Sequence, residues 1–482
     1  MKKWIAMAQR RTGSVSLVKL LGNWHQDLPR TPVYRQLADG LRLLILDGRL
    51  PLDSRLPGER ELAAALGVSR TTVATALAQL RDEGYLASRQ GSGSVTILPE
   101  GGQKVSPLLG RATTLDLSTA ALTAGPEIHQ AYASALIALP EYLGSTGYDQ
   151  QGLPELRQVI AQRYAARGLP TSADQIMIVN GALSGFGLIL RMLTGPGDRV
   201  VIDHPTYPMA LTAIKGASCR AVPVSLTEQG WDPEGLAATI AQTSPRLAYL
   251  LADFHNPSGR CMDAATRQAI ADIAARTRTT IVADETMVDL WYDTAPPPPL
   301  AAFDNDERVI TLGSAGKTFW GGLRIGWIRA STRTTASLIQ TRDSLDLGSP
   351  LLEQLAAINL FNEAENFLPQ RREMLRLQRN ACGEAIREFF PDWKITIVPQ
   401  GGLSWWIELP KPLATVFAAS AESIGIRIGA GPRFGSEGAF ERYVRLPFTL
   451  EPTQMRAALE RLKPLWENLV QAGNEYARKA VV

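Results

Sequence analysis

A lysine set among small residues, Gly313-Ser314-Ala315-Gly316-Lys317-Thr318, is followed closely by Gly321-Gly322-Leu323-Arg324. Its amine can form an imine with an aldehyde, while Ser314 before it and Arg324 after it can grip a phosphate through charge-assisted hydrogen bonds. Asp284 closes the apolar run Thr280-Ile281-Val282-Ala283, where a parallel α/β sheet presents its ligands. A carboxylate there can keep a pyridine nitrogen protonated. Asn256, in Asn256-Pro257-Ser258-Gly259, can donate to a phenolic oxygen. Asn180-Gly181-Ala182-Leu183-Ser184 leads from a strand into a helix, so the N–H groups of Gly181, Ala182 and Leu183 can cradle phosphate at a helix N-terminus. Tyr207, in His204-Pro205-Thr206-Tyr207-Pro208, can stack on a flat ring. Singly, these are a solvated lysine, a strand-end cap, a turn and a core tyrosine. Together they meet the needs of pyridoxal 5'-phosphate, which takes an imine-forming lysine, an acid for its ring nitrogen and donors for its phosphate.

The elements that position these residues follow from the apolar pattern. Short β-branched runs at Ile176–Val179, Arg199–Ile202, Leu247–Leu251 and Thr280–Ala283 alternate with helical stretches, which predicts an α/β domain with a mainly parallel sheet. After about Leu351 the pattern turns mostly helical, with strands at Leu403–Leu409 and Tyr443–Leu446; a smaller α+β part closes the chain. Pro, Gly, Ser and charged residues without an apolar period fill 99–113 and read as a linker.

Ahead of the linker the chain reads helix, helix, turn, helix, hairpin. Val33, Leu37, Leu41, Leu44 and Ile45 recur at helical spacing, and Gly48 can stop that helix. A second helix begins at Glu59, Leu66-Gly67-Val68-Ser69 makes a turn, and Ser69 can cap a third helix running from Arg70 to about Glu83. The glycine-tipped stretch Ser88 to Ser94 reads as a hairpin. A helix-turn-helix sets the start of its second helix into the DNA major groove. Arg70 there can pair with guanine, and Ser69, Thr71 and Thr72 can donate to phosphates. Arg60 is a second groove-facing arginine, and the small tip Gln90-Gly91-Ser92 can approach the backbone as a wing. Charge agrees in sign. Residues 1–98 carry 14 Lys/Arg against 8 Asp/Glu, a net +6 that suits a polyanion, whereas the rest of the chain is net −3.

Hydrophobic content of 45% without a run long enough to span a bilayer argues against a membrane. The basic start lacks the apolar core of a secretory signal, so a cytoplasmic location is expected. Cys219, Cys261 and Cys382 are odd in number and scattered, which predicts reduced core thiols and neither a disulfide framework nor a metal site.

Leu56-Pro-Gly-Glu-Arg60-Glu-Leu-Ala-Ala-Ala-Leu-Gly-Val-Ser-Arg70-Thr-Thr-Val73 resembles the GntR superfamily of bacterial regulators, over about 32–94. The resemblance implies that Arg60, Arg70, Thr72 and the wing at Gln90 to Ser92 contact operator DNA; Ala74 departs from the more polar residue common at its place. From 114 to 470 the ordered strings resemble fold-type-I aminotransferases. That likeness adds two residues. Tyr148 looks like the tyrosine that reaches the phosphate of a neighbouring subunit, and Arg445, in Val444-Arg445-Leu446-Pro447-Phe448, looks like the arginine that clamps a substrate carboxylate. It implies a homodimer, domain-swapped head to tail. Where those enzymes place a cofactor-tuning tyrosine after the aspartate, this chain has Thr286 and Met287; methionine cannot donate, and the Thr286 hydroxyl is the cofactor contact that can substitute in part.

The combination is that of the MocR regulators. The expected plan is a winged helix-turn-helix at 30–98, the linker, and an aminotransferase-like effector domain at 114–482, preceded by residues 1–29, whose amphipathic Val15, Val18, Leu21 pattern and Trp24 read as an arm that packs on a partner or near DNA. The expected function is transcription regulation, with pyridoxal 5'-phosphate, or an amino compound joined to it, as the sensed ligand and at most slow transamination. The alternative is a competent aminotransferase with an appended DNA-binding module.

Overall fold

The computed structural model describes residues 11–22, 24–25, 32–89, 93–97 and 115–479. The expected linker and the wing residues Gln90, Gly91 and Ser92 lie outside them.

The N-terminal unit is built from α1 (Ser14–Leu21), α2 (Val33–Leu46), α3 (Glu59–Leu66), α4 (Arg70–Asp82) and an antiparallel hairpin of β1 (Leu86–Arg89) and β2 (Gly93–Thr96), with Leu86 opposite Thr96. The expected stripe is buried: Leu37, Leu41 and Leu44 of α2 meet Leu62 of α3 and Val73, Leu77 and Leu80 of α4. Burying each such side chain contributes roughly 1.5–3 kcal/mol. The turn between α3 and α4 closes on Gly67, left-handed at φ 68°, which a side chain would resist. Residues expected to form a separate arm instead complete this core, since Leu17 and Leu21 of α1 and then Trp24 pack into it.

The large domain holds a seven-stranded sheet in the order β4-β10-β9-β8-β7-β5-β6. Its strands are β4 (Ile176–Val179), β5 (Arg199–His204), β6 (Arg220–Ser225), β7 (Leu247–Leu250), β8 (Thr280–Asp284), β9 (Val309–Ser314) and β10 (Gly326–Arg329). Only β10 runs against its neighbours, as the mainly parallel expectation requires. Most strand residues are buried on both faces, so helices cover the two sides. A smaller sheet, β11 (Ser404–Glu408), β13 (Tyr443–Pro447), β12 (Ile426–Ala430) and β3 (Leu115–Leu117) in that order, carries the second domain. β3 is the first element past the linker and pairs parallel to β12, so the chain enters the effector region through the small domain.

The winged-helix unit rests on that small domain. α2 packs on the helix Ala414–Ser423, and Leu43 of α2 belongs to the small domain's apolar core. Among the described residues no helix is long and apolar enough to cross a membrane, and no group of three or more His, Cys, Asp or Glu could hold a metal. All three cysteines are free thiols, with Cys219 and Cys382 buried.

Candidate functional site

The carboxyl ends of the large-sheet strands face one cavity of about 200 Å³. The turn after β4 brings Gly181, Ala182 and Leu183; the turn after β5 brings Tyr207; the segment after β7 brings Asn256; Asp284 ends β8, followed by Thr286; and Ser314 ends β9. Lys317 lies on a short helix, Ala315–Thr318, and Arg324 follows with a left-handed φ of 53°. Residues up to 143 positions apart in sequence thus converge as expected, because parallel strands deliver their following turns to the same edge.

Asp284 is buried, and burial pushes its carboxyl pKa up against the pull of two donors and of nearby Lys317. Tyr249 Oη donates to Oδ2 at 2.5 Å and the Thr286 N–H to Oδ1 at 3.0 Å. Lys317 donates from Nζ to the Ala120 carbonyl at 2.6 Å. Its pKa is pushed down to about 8 by burial and by the Arg445 and Arg324 cations, against the opposing pull of Asp284. An amine so placed is a nucleophile near neutral pH.

The phosphate end is a backbone cradle. Gly181 precedes the helix Ala182–Leu193 at φ 91°; a Cβ there would lie 2.7 Å from Nη2 of Arg324, which donates to the Asn180 carbonyl at 3.0 Å. Ser314 Oγ accepts from the Gly316 N–H at 3.0 Å. A guanidinium, a hydroxyl and the Ala182 and Leu183 N–H groups that open the helix fit a dianionic phosphate, whereas the Gly181 N–H, expected to join them, donates to the Val179 carbonyl at 2.8 Å.

Arg445 on β13 is buried beside Asn256, donating from Nη1 to Asn256 Oδ1 at 3.2 Å and from Nη2 to the Ser118 carbonyl. Its Nε is buried without a partner, a donor left for a carboxylate. The bond from Arg445 occupies the Asn256 oxygen and leaves its NH₂ to donate. Tyr148 lies apart from this cavity on an exposed loop, at 70% exposure. Met287 lines the cavity in the place of the missing tuning tyrosine, and Thr286 uses its N–H on Asp284. Sequence reasoning missed Tyr249, whose only signal was a phenol inside an apolar strand. It also missed Ser118 and Ala120, whose carbonyls cover the two cations and carry no side-chain signature.

On the N-terminal unit, Arg60, Ser69, Arg70 and Thr71 are exposed and Thr72 half-buried at the starts of α3 and α4. Ser69 caps α4, accepting from the Thr72 N–H at 3.0 Å. Glu59 sits between two arginines, 3.7 Å from both Arg70 and Arg81.

The aminotransferase class I and II family model matches residues 119–462, and the bacterial regulatory protein gntR family model matches 33–95. The probable rhizopine catabolism regulatory protein MocR of Rhizobium meliloti is 30% identical over 392 residues, covering 75% of this chain and 78% of that protein. The chain belongs to the MocR-type regulators. An uncharacterized HTH-type transcriptional regulator of Bacillus subtilis, YdfD, is 27% identical to this MocR-type chain over 87% of its length and 93% of the relative's. LysN, an α-aminoadipate aminotransferase from Thermus thermophilus, is 23% identical with a TM-score of 0.69, covering 74% of this chain and 93% of that one; the likeness gives the aminotransferase fold of the effector region. Pyridoxal 5'-phosphate is the cofactor of this family, and the donor set of the cavity fits it.

Proposed function

We propose that this MocR-type regulator reads the state of its cofactor cavity and passes it to the winged helix through residues 431–441. In this reading Lys317 holds the cofactor covalently, Asp284 the ring nitrogen, Asn256 the phenolic oxygen, and Tyr207 the ring face. The Ala182 and Leu183 N–H groups, Ser314 and Arg324 hold the phosphate over the open Cα of Gly181, with Tyr148 of a second copy. Thr286 steadies Asp284, and Arg445 takes the carboxylate of an amino compound. The cofactor supplies an aldehyde and an electron-withdrawing ring; the protein supplies position and charge.

The supporting observation is a continuous set of contacts. Arg445 stacks over Phe434, with its guanidinium carbon 5.0 Å from the ring centre. Arg433, next in the chain, pairs with Asp47 at the end of α2 at 3.4 Å. Glu437 pairs with Lys19 of α1 at 3.2 Å, and Gly438 lies so close to Gly22 that a Cβ on Gly22 would come within 2.9 Å of its Cα. Glu441 accepts from the Thr415 N–H and hydroxyl, each at 2.8 Å, at the start of the helix on which α2 rests. A carboxylate drawing on Arg445 alters its stacking on Phe434 and so the segment that grips α1 and α2. A ligand that binds the two arrangements unequally shifts their populations.

Arg60, Ser69, Arg70, Thr71 and Thr72, with the wing at Gln90 to Ser92, are assigned to operator DNA. Leu143, Tyr148, Leu345 and Leu347 are all at least 51% exposed on adjoining loops, which supports cover by a second copy. In a head-to-tail, domain-swapped dimer the winged helix would make these same contacts on the partner's small domain. A gel shift on the DNA upstream of the protein's own gene, with and without pyridoxal 5'-phosphate, tests the reading. The expected result is a changed affinity or footprint; identical binding in both arms refutes it.

A further inference from the structure

We propose that Tyr249 is a positioning residue of the cofactor site, holding Asp284 as an oriented anion so that the proton stays on the cofactor's ring nitrogen. The proposal rests on the reading that pyridoxal 5'-phosphate occupies the cavity with Asp284 at that nitrogen.

Tyr249 and Asp284 stand on neighbouring parallel strands. In their register Tyr249 lies opposite Val282, two residues before Asp284, so side-chain alternation sends the phenol and the carboxylate to the same face of the sheet. The two meet at 2.5 Å. Both side chains border the cavity, and Tyr249 is 1% exposed. Phe186 packs on the phenol ring with centres 4.5 Å apart, which fixes where the hydroxyl points.

The consequence follows from competition for one proton. Burial alone favours the neutral acid at Asp284, and the Tyr249 hydroxyl is the largest effect opposing it. A hydrogen bond to the charged form of a carboxylate lowers its affinity for a proton. With the phenol present, Asp284 accepts a hydrogen bond from the protonated ring nitrogen and does not take the proton. Without it, one carboxylate oxygen is buried unsatisfied, its basicity rises, and the shared proton moves toward oxygen. Met287 stands where a tyrosine would supply a phenol at the other end of the ring, and Tyr207 is assigned to the ring face; Tyr249 is the phenol that acts on the ring nitrogen, through Asp284.

The test uses the full-length protein reconstituted with cofactor labelled with ¹⁵N in the ring, and reads the ring-nitrogen resonance. Tyr249→Phe keeps the ring on Phe186 and removes only the hydroxyl. Its resonance is expected to move from the protonated position toward the unprotonated one, and cofactor dissociation measured by equilibrium dialysis is expected to rise several-fold. Asp284→Asn marks the fully unprotonated limit. A Tyr249→Phe resonance that coincides with wild type, while Asp284→Asn moves, overturns the role of Tyr249 alone. A resonance unmoved by Asp284→Asn overturns the placement of the ring nitrogen at Asp284, and the proposal with it. Should Tyr249→Phe not fold, 3-fluorotyrosine at 249 keeps the shape with a stronger donor: a resonance displaced beyond the wild-type position, away from the unprotonated limit, upholds the role, and one that coincides with wild type or shifts toward that limit overturns it.

Discussion

Asp47→Asn should uncouple DNA binding from the cofactor cavity. Asp47 ends α2, where the helix dipole disfavours an acid by about 0.3–1 kcal/mol. It is held there by Arg433 at 3.4 Å and Arg49 at 3.5 Å, with its side chain only 8% exposed. Asparagine keeps the shape and removes the charge, so two guanidinium groups that shared an anion face one another without it. Hydrogen bonds and pairs to charged groups of this burial contribute roughly 1.5–3 kcal/mol. A loss of about 2 kcal/mol changes the ratio of docked to undocked winged helix about thirtyfold, since 1.4 kcal/mol is a factor of ten. The assay is a quantitative gel shift with and without pyridoxal 5'-phosphate, beside small-angle scattering of the same holoprotein. Asp47→Asn should lose most of the cofactor response and scatter as a more extended particle. Arg433→Gln should do the same, and the double variant little more, because the two residues act as a pair. Folded variants that keep the wild-type response within twofold would refute the route through 431–441.

Lys317 must be a neutral amine to attack an aldehyde, and its pKa lies lowered to about 8. Cofactor attachment to the apoprotein, followed by visible absorbance, should therefore speed up about tenfold per pH unit below that value and level off above it; a rise continuing toward the ordinary lysine range contradicts the shift. Gly181→Ala puts a Cβ against Arg324 at a backbone conformation that costs a side chain about 1–3 kcal/mol, and should lower both the melting temperature and cofactor affinity in calorimetry and dialysis. Arg70→Ala should weaken operator binding by about 1–3 kcal/mol in a gel shift while leaving cofactor absorbance unchanged.

Much of this was legible in the sequence because period and punctuation are local. The α2 stripe, the Gly67 turn, the Ser69 cap and the strands that end at Val179 and Asp284 announce themselves within a few residues. The cavity set was legible for a related reason: each member sits in a turn directly after a strand, so the order of the chain and a parallel sheet suffice to gather it. What stayed hidden is made by long-range contact. Nothing in Leu17, Leu21 and Trp24 distinguishes an arm from the helix that completes a core. Nothing in Leu-Ala-Tyr249-Leu tells that the phenol crosses to Asp284, because that needs the register of two strands. The grip of Arg433 on Asp47 joins residues 386 positions apart and is set by the docking of one unit on another.

The Glu59 carboxylate between Arg70 and Arg81 has a consequence for target search. It faces the guanidinium assigned above to DNA with an internal anion, so on that assignment a nucleic acid must exchange one acidic partner for another before Arg70 can reach a base. Non-specific duplex, held through its phosphates, gains little by that exchange, whereas a site that sets guanine at the position reached by Arg70 adds a bidentate partner. Neutralising Glu59 would thus raise affinity for arbitrary duplex more than for the operator. The residue acts as a resident competitor that trades binding strength for discrimination.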